Sequence, residues 1–292
     1  MAQTKGIILA GGSGSRLHPI TKGISKQLLP IYDKPMIYYP LSVLMLAKIQ
    51  DILLISTTYD LPLFQKLLGD GSHLGMNITY CAQPSPDGIA QAFILGKDFI
   101  NQSNSALILG DNIFFGENFS ARLEEAKKMS GATIFGYHVP DPERFGVISL
   151  DENNKPLSII EKPSNPLSNF AVTGLYFYDN SVVEIASQLK PSNRGELEIT
   201  DINNEYLNRS KLNVSLLEQG FMWSDAGTHD SLLDTSCLIK SYQAKQAMMI
   251  ACLEEIAYKN EWISLEDISV LANQSSNSAY GKYLHKILVK YS

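Results

Sequence analysis

Five short, almost unbroken apolar runs mark the first part of the chain: KGIILA (5–10), DILLIST (51–57), NITYCAQ (77–83), SALILGD (105–111) and ATIFGYHV (132–139). Stretches with helical spacing separate them, among them MIYYPLSVLMLAKIQ (36–50), IAQAFILGKDFI (89–100) and ENFSARLEEAKKM (117–129). A strand that is apolar on both faces has to be covered on both. Regular strand–helix–strand alternation makes such strands parallel. The pattern therefore predicts an α/β chain whose mostly parallel sheet carries helices on either side. Ligands of such sheets bind at the carboxyl ends of the strands, where loops and helix N-termini point.

Past residue 140 the rhythm changes. FGVISLDENNKPLSIIEKP (145–163) reads as two strands joined by a polar turn, and FAVTGLYFYD (170–179) as a third. Together they predict an antiparallel insertion beside the parallel core, a place where a second substrate gains contacts. A helix over 181–189 and a strand over 213–220 follow, and from Thr228 onward the pattern is mostly helical. Ser264 with Asp267 three residues later forms a capping-box start for one of these helices. There is no internal repeat, low-complexity tract or linker, which predicts one main domain with a helical C-terminal appendage.

Composition narrows the partners. The 292 residues are 45% hydrophobic and 18% charged, a globular balance with material for a substantial core. A formal net charge of −6 disfavours nucleic acid, and any anion site has to be built locally against that sign. Cys81, Cys237 and Cys252 are odd in number and lack CxxC spacing, which points to reduced thiols and away from zinc or a disulfide framework. The N-terminus has no apolar signal region, and no apolar run approaches the ~20 residues that span a bilayer. A cytoplasmic protein is expected.

The first strand runs into a loop of glycines, GIILAGGSGSRLHP (6–19). It is not a Walker A loop, because neither Gly96-Lys97 nor Gly281-Lys282 has that context. It also misses the dinucleotide fingerprint GxGxxG, since Leu17 stands where the third glycine belongs. What remains is strand, GGSGSR and Arg16. Glycines let backbone N–H groups approach an anion, and an arginine can clamp phosphate oxygens in bidentate fashion. A plain strand-to-helix turn with a solvent-facing arginine stays open on the loop alone. Lys22, Lys26 and Lys34 follow within a short stretch, and each taken singly reads as part of a solvated face.

The full string GGSGSRLHPITKGISKQLLPIYDKPMIYYP closely resembles the signature of the sugar-nucleotide pyrophosphorylases, G-G-x-G-[ST]-R-L followed by a lysine and L-P. Within them it looks most like the short-form glucose-1-phosphate thymidylyltransferases. Further blocks match in family order: QPSPDGIAQAF (83–93), LGDNIFFG (109–116), FGVISLD (145–151), IIEKPSNPLSNFAVTGLYFYD (159–179), RGELEITDIN (194–203) and WSDAGTHDSL (223–232). CLEEIAYKNEWI (252–263) resembles the tail of the thymidylyltransferases, so the likeness extends over nearly the whole chain.

The resemblance implies an α/β, Rossmann-like three-layer sandwich with a mostly parallel mixed central sheet, an antiparallel sugar-binding insertion and a helical C-terminal region. It implies a nucleotidyltransferase core over 1–240, with a nucleotide half to residue 140 and a sugar-binding part over 141–227, and a helical region over 241–292 for oligomer and effector contacts. The implied reaction joins dTTP and glucose 1-phosphate into dTDP-glucose and pyrophosphate. Uridylyl transfer, another sugar 1-phosphate, or a non-catalytic sugar-nucleotide sensor are the rival readings. A homotetramer, and feedback inhibition by dTDP-rhamnose, are implied as well.

Residue by residue, the resemblance makes Gly11, Gly12 and Ser13 a backbone cradle for the triphosphate, Arg16 a clamp on the leaving pyrophosphate and Lys26 a cation near the α-phosphate. Asp111, which ends an apolar strand, and Asp225 become the Mg²⁺ carboxylates, although each alone also reads as a cap or turn residue. Gln83 and Gly88 are assigned to the base. Lys162 is assigned to the sugar phosphate, and Asn112, Gly146, Glu161 and Val172 to the hexose. Glu161-Lys162 also reads as a surface pair, and Tyr176 as either a hexose contact or a core residue. One departure is Ala226 in WSDAGT, where the family commonly has threonine, which removes one hydroxyl. His18, His73, His138, His229 and His285 show no metal spacing, and there is no GxSxG nucleophile elbow.

Overall fold

A computed structural model describes residues 3–12, 14–218 and 220–292. Its parallel core strands are β1 (Thr4–Ala10), β4 (Asp51–Thr57), β5 (Asn77–Gln83) and β6 (Asn104–Leu109). Two short strands, β2 (Pro30–Ile31) and β3 (Lys34–Pro35), form a separate hairpin between β1 and β4. Beyond β6 come β7 (Ile113–Phe115), β8 (Ala132–His138), β9 (Gly146–Leu150), β10 (Pro156–Glu161), β11 (Phe170–Tyr178), β12 (Leu212–Leu217) and β13 (Met222–Ser224).

The helices of the first half are α1 (Tyr38–Leu46), α2 (Leu61–Leu68), α3 (Gln91–Leu95), α4 (Lys97–Ile100) and α5 (Phe119–Lys128). Those of the second half are α6 (Val182–Gln188), α7 (Ile199–Asn208), α8 (His229–Gln246), α9 (Leu253–Lys259), α10 (Leu265–Gln274) and α11 (Ala279–Tyr291). No helix among the described residues is long and apolar enough to cross a membrane.

One nine-stranded sheet organises the chain. β1 pairs in parallel with β4 on one side and β6 on the other, and β4 pairs with β5. Alternation along each strand sends side chains to two separate cores, making three layers. Ile8, Ile52, Leu54 and Ile108 pack under α1, α2, α5 and α9. Their neighbours Ile7, Leu53, Ile55 and Leu107 pack under α3, α6 and α7.

The segment after residue 140 does not form a layer of its own. β11 is antiparallel to β6 through Leu175–Tyr178, and its opposite edge is taken by β8. The hairpin β9–β10 joins the same edge of β11 as β6, one stretch earlier, at Ala171 with Val147. β6 and β9 thus share an edge and diverge from it, leaving a cleft between them at Val172–Gly174. β11 bulges here, running four residues from Val172 to Tyr176 against two of β8. The insertion is therefore an extension of the central sheet.

Two helices differ in extent from the sequence pattern, and several elements were not anticipated by it. The helix expected over 89–100 is interrupted at Gly96, where a Cβ would sit 2.9 Å from the Ala92 carbonyl and 3.2 Å from Leu53. Close packing on the sheet demands glycine there, and glycine weakens the helix. The helix expected over 36–50 ends by Ala47, with Lys48 turned to φ 56°. The helices α2 and α7 and the small strand pairs had no sequence expectation.

At the C-terminus, α9 packs on α1 through Leu253 and Ala257, and Met249, Cys252, Ile268, Ala272, Leu284 and Ile287 make a small core with α10 and α11. Glu255 knots this region, accepting from the Tyr283 hydroxyl at 2.6 Å and pairing with Lys259 at 3.0 Å. The expected capping box is present: Ser264 Oγ accepts from the Asp267 N–H at 3.2 Å and Asp267 Oδ2 accepts from the Ser264 N–H at 2.8 Å. Ser264→Ala is expected to cost about 1 kcal/mol of stability, read as a lowered urea midpoint with an unchanged slope.

Candidate active site

The carboxyl ends of β1, β5 and β6 open onto one face, and the sequence-assigned residues collect there. Gly11 and Gly12 continue β1; Ser13 lies outside the described residues. Gly12 has φ 97°, a left-handed conformation in which a side chain is strained. At Gly11 a Cβ would lie 2.2 Å from Gln83 Oε1, so a side chain there would displace the Gln83 amide. Gln83 Nε2 donates to Gln91 Oε1 at 2.7 Å, and Gln91 Nε2 donates to Asp87 Oδ2 at 2.7 Å. This relay fixes which way the Gln83 amide faces. Gly88, at φ 109°, would bring a Cβ to 2.4 Å from the Leu197 carbonyl. Its glycine is thus explained by loop packing against the segment before α7.

Gly11, Gly12, Gln83, Gly88 and Asp111 line a recess of about 220 Å³ together with Leu9, Ile89 and Leu109. A second cavity of about 530 Å³ occupies the cleft between β6 and the β9–β10 hairpin. Arg16, Asn112, Gly146, Glu161, Lys162, Val172, Tyr176 and Asp225 line it, so the sugar-side set is gathered in one place. Asp111, Ile89 and Leu109 line both spaces. The two spaces therefore meet at Asp111.

Asp111 and Asp225, more than a hundred residues apart, meet through a two-stranded ladder. β7 and β13 pair antiparallel with Ile113 opposite Ser224 and Phe115 opposite Met222. The register carries the residues just before β7 and just after β13 to one end of the ladder, and these are Asp111-Asn112 and Asp225. Both carboxylates are mostly buried and both are met by cations. Lys26 donates from Nζ to Asp111 Oδ2, and Arg144 reaches Asp225 Oδ2 at 3.3 Å. Arg16 lies over Gly227, where a Cβ would be 3.0 Å from Nη2 and 3.1 Å from Asp225 Oδ2. Arg16 is therefore an exposed residue that lines the cavity. The three lysines of the opening segment separate. Lys22 lines an adjoining recess with Gly12 and Lys26. Lys34 is buried, tied to Asp33 and to Gln243 of α8, and its pKa is lowered by burial.

On the hexose side, Glu161 ends β10 and accepts from the Thr200 hydroxyl at 2.6 Å, with the Arg194 guanidinium at 3.4 Å. Lys162 stands half exposed at φ 41°, its ammonium 3.7 Å from Glu161. Tyr176 packs in the core, stacked on Tyr178 with ring centroids 6.1 Å apart, and also lines the cavity. Burial, then the charges of Glu161 and Asp111, push its pKa up, so the hydroxyl keeps its proton. Ala226 is buried at φ 38°, a conformation that disfavours a β-branched side chain. A hydroxyl pair stands beside it, with Thr235 donating to Ser224 Oγ at 2.8 Å and Ser224 Oγ accepting from the Ala226 N–H.

Sequence reasoning missed Arg144, Arg194, Thr200 and Trp223. Arg194 and Thr200 lie inside RGELEITDIN and Trp223 opens WSDAGT, blocks that matched without a residue being singled out. Arg144 directly precedes the FGV block. Its hydrogen bond to Asp141, opposed by burial and helped by the Asp225 charge, raises its pKa and keeps it cationic.

Among the described residues no group of three or more His, Cys, Asp and Glu side chains gathers to hold a metal. The two carboxylates offer hard oxygen donors on one cavity, a set that suits Mg²⁺, which takes one or two carboxylates and fills its remaining positions with water and substrate phosphates. Gly11→Ala is expected to push the Gln83 amide out of its hydrogen bond to Gln91 and to weaken nucleoside triphosphate binding about tenfold by calorimetry.

The nucleotidyl transferase family profile matches residues 5–241. A glucose-1-phosphate thymidylyltransferase of Neisseria gonorrhoeae is 58% identical, over 98% of this chain and 100% of its own length. The Mycobacterium tuberculosis enzyme of the same name is 51% identical, over 97% and 99%. A Bacillus anthracis protein crystallised with sucrose and described as a glucose-1-phosphate thymidylyltransferase superposes with a TM-score of 0.75 at 45% identity, covering 80% of this chain and 94% of that one. The chain belongs to the nucleotidyl transferase family, and within it to the glucose-1-phosphate thymidylyltransferases.

Proposed function

We propose that this chain transfers a thymidylyl group from dTTP to α-D-glucose 1-phosphate, forming dTDP-glucose and releasing pyrophosphate. The observation that carries the reading is the pair of spaces meeting at Asp111, one beside the glycine loop and one in the hairpin cleft. A phosphate oxygen of the sugar phosphate attacks the α-phosphorus. The new P–O bond forms as the bond to the β-phosphate oxygen breaks, and its electron pair leaves with pyrophosphate. No proton has to move, because the nucleophile is already an anion. What the protein supplies is alignment of two anions and compensation of moving charge.

In this reading Gly11, Gly12 and Ser13 cradle the triphosphate by backbone, Arg16 neutralises the departing pyrophosphate and Lys26 stands near the α-phosphate. Arginine's planar fork and lysine's point charge serve these positions differently. Gln83, oriented by Gln91, faces the base, with Gly88 shaping the loop beside it. Lys162 holds the sugar phosphate, while Gly146, Glu161, Val172 and Tyr176 line the hexose. Asn112 stands beside them. Asp111 and Asp225 would hold Mg²⁺, which supplies charge neutralisation at the phosphates when bound.

The partition into a core over 1–240 and a helical region over 241–292 belongs to the same proposal, as do a homotetramer, feedback by dTDP-rhamnose and a cytoplasmic location. Exposed Met248, Val270 on α10 and Val289 on α11 support a role for the helical region in subunit contacts. Light scattering on the purified chain is expected to give the mass of four subunits, and a monomer would remove that part.

Pyrophosphate release, assayed with each nucleoside triphosphate in turn, is expected to be fastest with dTTP. No turnover with dTTP, or a preference for UTP, would overturn the substrate assignment. Asp111→Asn is expected to lower kcat on the order of 10²-fold or more with the circular dichroism spectrum unchanged. Near-normal activity in that variant would remove Asp111 from the centre.

A further inference from the structure

Asn112 is 3% exposed, and its hydrogen bonds point away from a simple sugar contact. Oδ1 accepts from the Gly174 backbone N–H at 2.9 Å and from the Trp223 indole N–H at 2.7 Å. Two N–H donors on one side leave a single orientation for the amide. Nδ2 therefore faces Asp111 and donates to its Oδ1 at 2.9 Å. The fit at Gly174 is close, since a Cβ there would stand 2.6 Å from Asn112 Oδ1. One amide N–H is all that remains for a ligand.

We infer that Asn112 is a positioning residue: it fixes the rotation of the Asp111 carboxylate and makes that rotation depend on the seating of Trp223 in the wall of the hexose cavity. The inference rests on the reaction proposed above. A carboxylate turns freely about its last torsion unless both oxygens are held. Lys26 holds Oδ2, and Asn112 holds Oδ1. Trp223 is paired with Phe114 across the β7–β13 ladder, lies two residues before Asp225, and packs edge-on against Phe145 at 5.1 Å and Tyr137 at 5.8 Å. Gly174 sits in the bulge of β11, on the floor of the same cavity. One buried amide thus joins the floor of the hexose cavity, its wall and a carboxylate of the phosphate centre. A hexose that seats well against Trp223 finds Asp111 already turned to its working orientation.

The test compares full-length wild type with Asn112→Ala and Trp223→Phe. The second keeps an aromatic ring in the cavity wall and removes the indole N–H, so it carries the test where the alanine variant fails to fold. Steady-state rates are measured in both substrates, and Mn²⁺ binding to the free protein is measured by EPR. Asn112→Ala is expected to lower kcat and weaken Mn²⁺ binding by about 10–100-fold, the usual effect of losing an outer hydrogen-bond partner of a metal ligand. KM for glucose 1-phosphate is expected to change by a smaller factor than kcat and Mn²⁺ affinity, because at most one amide N–H toward the cavity is lost with the hydrogen bond to Asp111. Trp223→Phe is expected to move kcat and Mn²⁺ affinity in the same direction by a smaller factor.

A raised KM for glucose 1-phosphate with kcat and Mn²⁺ affinity unchanged would make Asn112 a hexose ligand and overturn the inference. A wild-type protein that releases no pyrophosphate would instead defeat the proposed reaction. The Mn²⁺ titration would still decide whether Asn112 governs Asp111, with equal affinity in wild type and both variants counting against it.

Discussion

A ladder of three residue pairs between β7 and β13 determines whether this molecule has a centre at all. Each strand is too short to be stable by itself, and each gains its place from what surrounds it. β7 follows directly from the end of β6, the strand beside β1, while β13 runs straight into the capped start of α8. A slip of one residue in that ladder would turn every side chain to the opposite face. Asp225 would then point away from Asp111, and the cavity would keep its volume without its paired carboxylates. Phe114 and Phe119, stacked with centroids 5.8 Å apart, and Phe221 over Phe119 at 5.4 Å, pack beside the ladder and resist such a slip.

The electrostatics follow a local logic against the global sign. A chain of net charge −6 has to attract two phosphorylated anions, and it does so by placing Arg16, Lys26, Arg144, Lys162 and Arg194 around one opening. Four of these five cations, Lys26, Arg144, Lys162 and Arg194, are paired with Asp111, Asp225, Glu161 and Glu198. Prepaired cations are already oriented, so binding an anion exchanges one partner for another and avoids ordering a free side chain. Such pairs at a partly exposed opening contribute little to stability by themselves. Their value lies in arrangement.

The parallel half of the fold was legible because its strands are apolar on both faces, and that pattern is local. DILLIST and NITYCAQ became strands over the same residues. The helix expected over 89–100 was legible in kind but not in extent, because the break at Gly96 comes from Leu53 on a distant strand. α7 was hidden because its apolar positions, Ile199, Ile202 and Tyr206, sit among polar residues that serve the site and the sheet. The ladder that joins Asp111 to Asp225 could not be read from spacing, since three-residue strands carry no periodicity. Likeness to a family named residues that the fold places around two adjoining spaces. It did not reveal that Gly88 answers to the Leu197 backbone, or that Arg144 and Arg194 complete the charge pattern, because those facts live in contacts between segments.

The β9–β10 hairpin meets β11 at a single residue pair and is otherwise propped by α7, whose Asn204 donates to the Ile159 carbonyl at 3.2 Å. The hairpin is anchored from behind by Ile148 and Ile159, which are buried in the second core with Ile202 of α7. The cleft between the hairpin and β6 is therefore backed by Ile202 and Tyr206 of α7, which pack into the same core. A change in the volume of those buried side chains would shift the hairpin wall of the cavity and leave the register of the parallel strands in place. Changes behind the hairpin and changes at the contacts of Asn112 with Asp111 and Trp223 therefore act on different walls of one cavity.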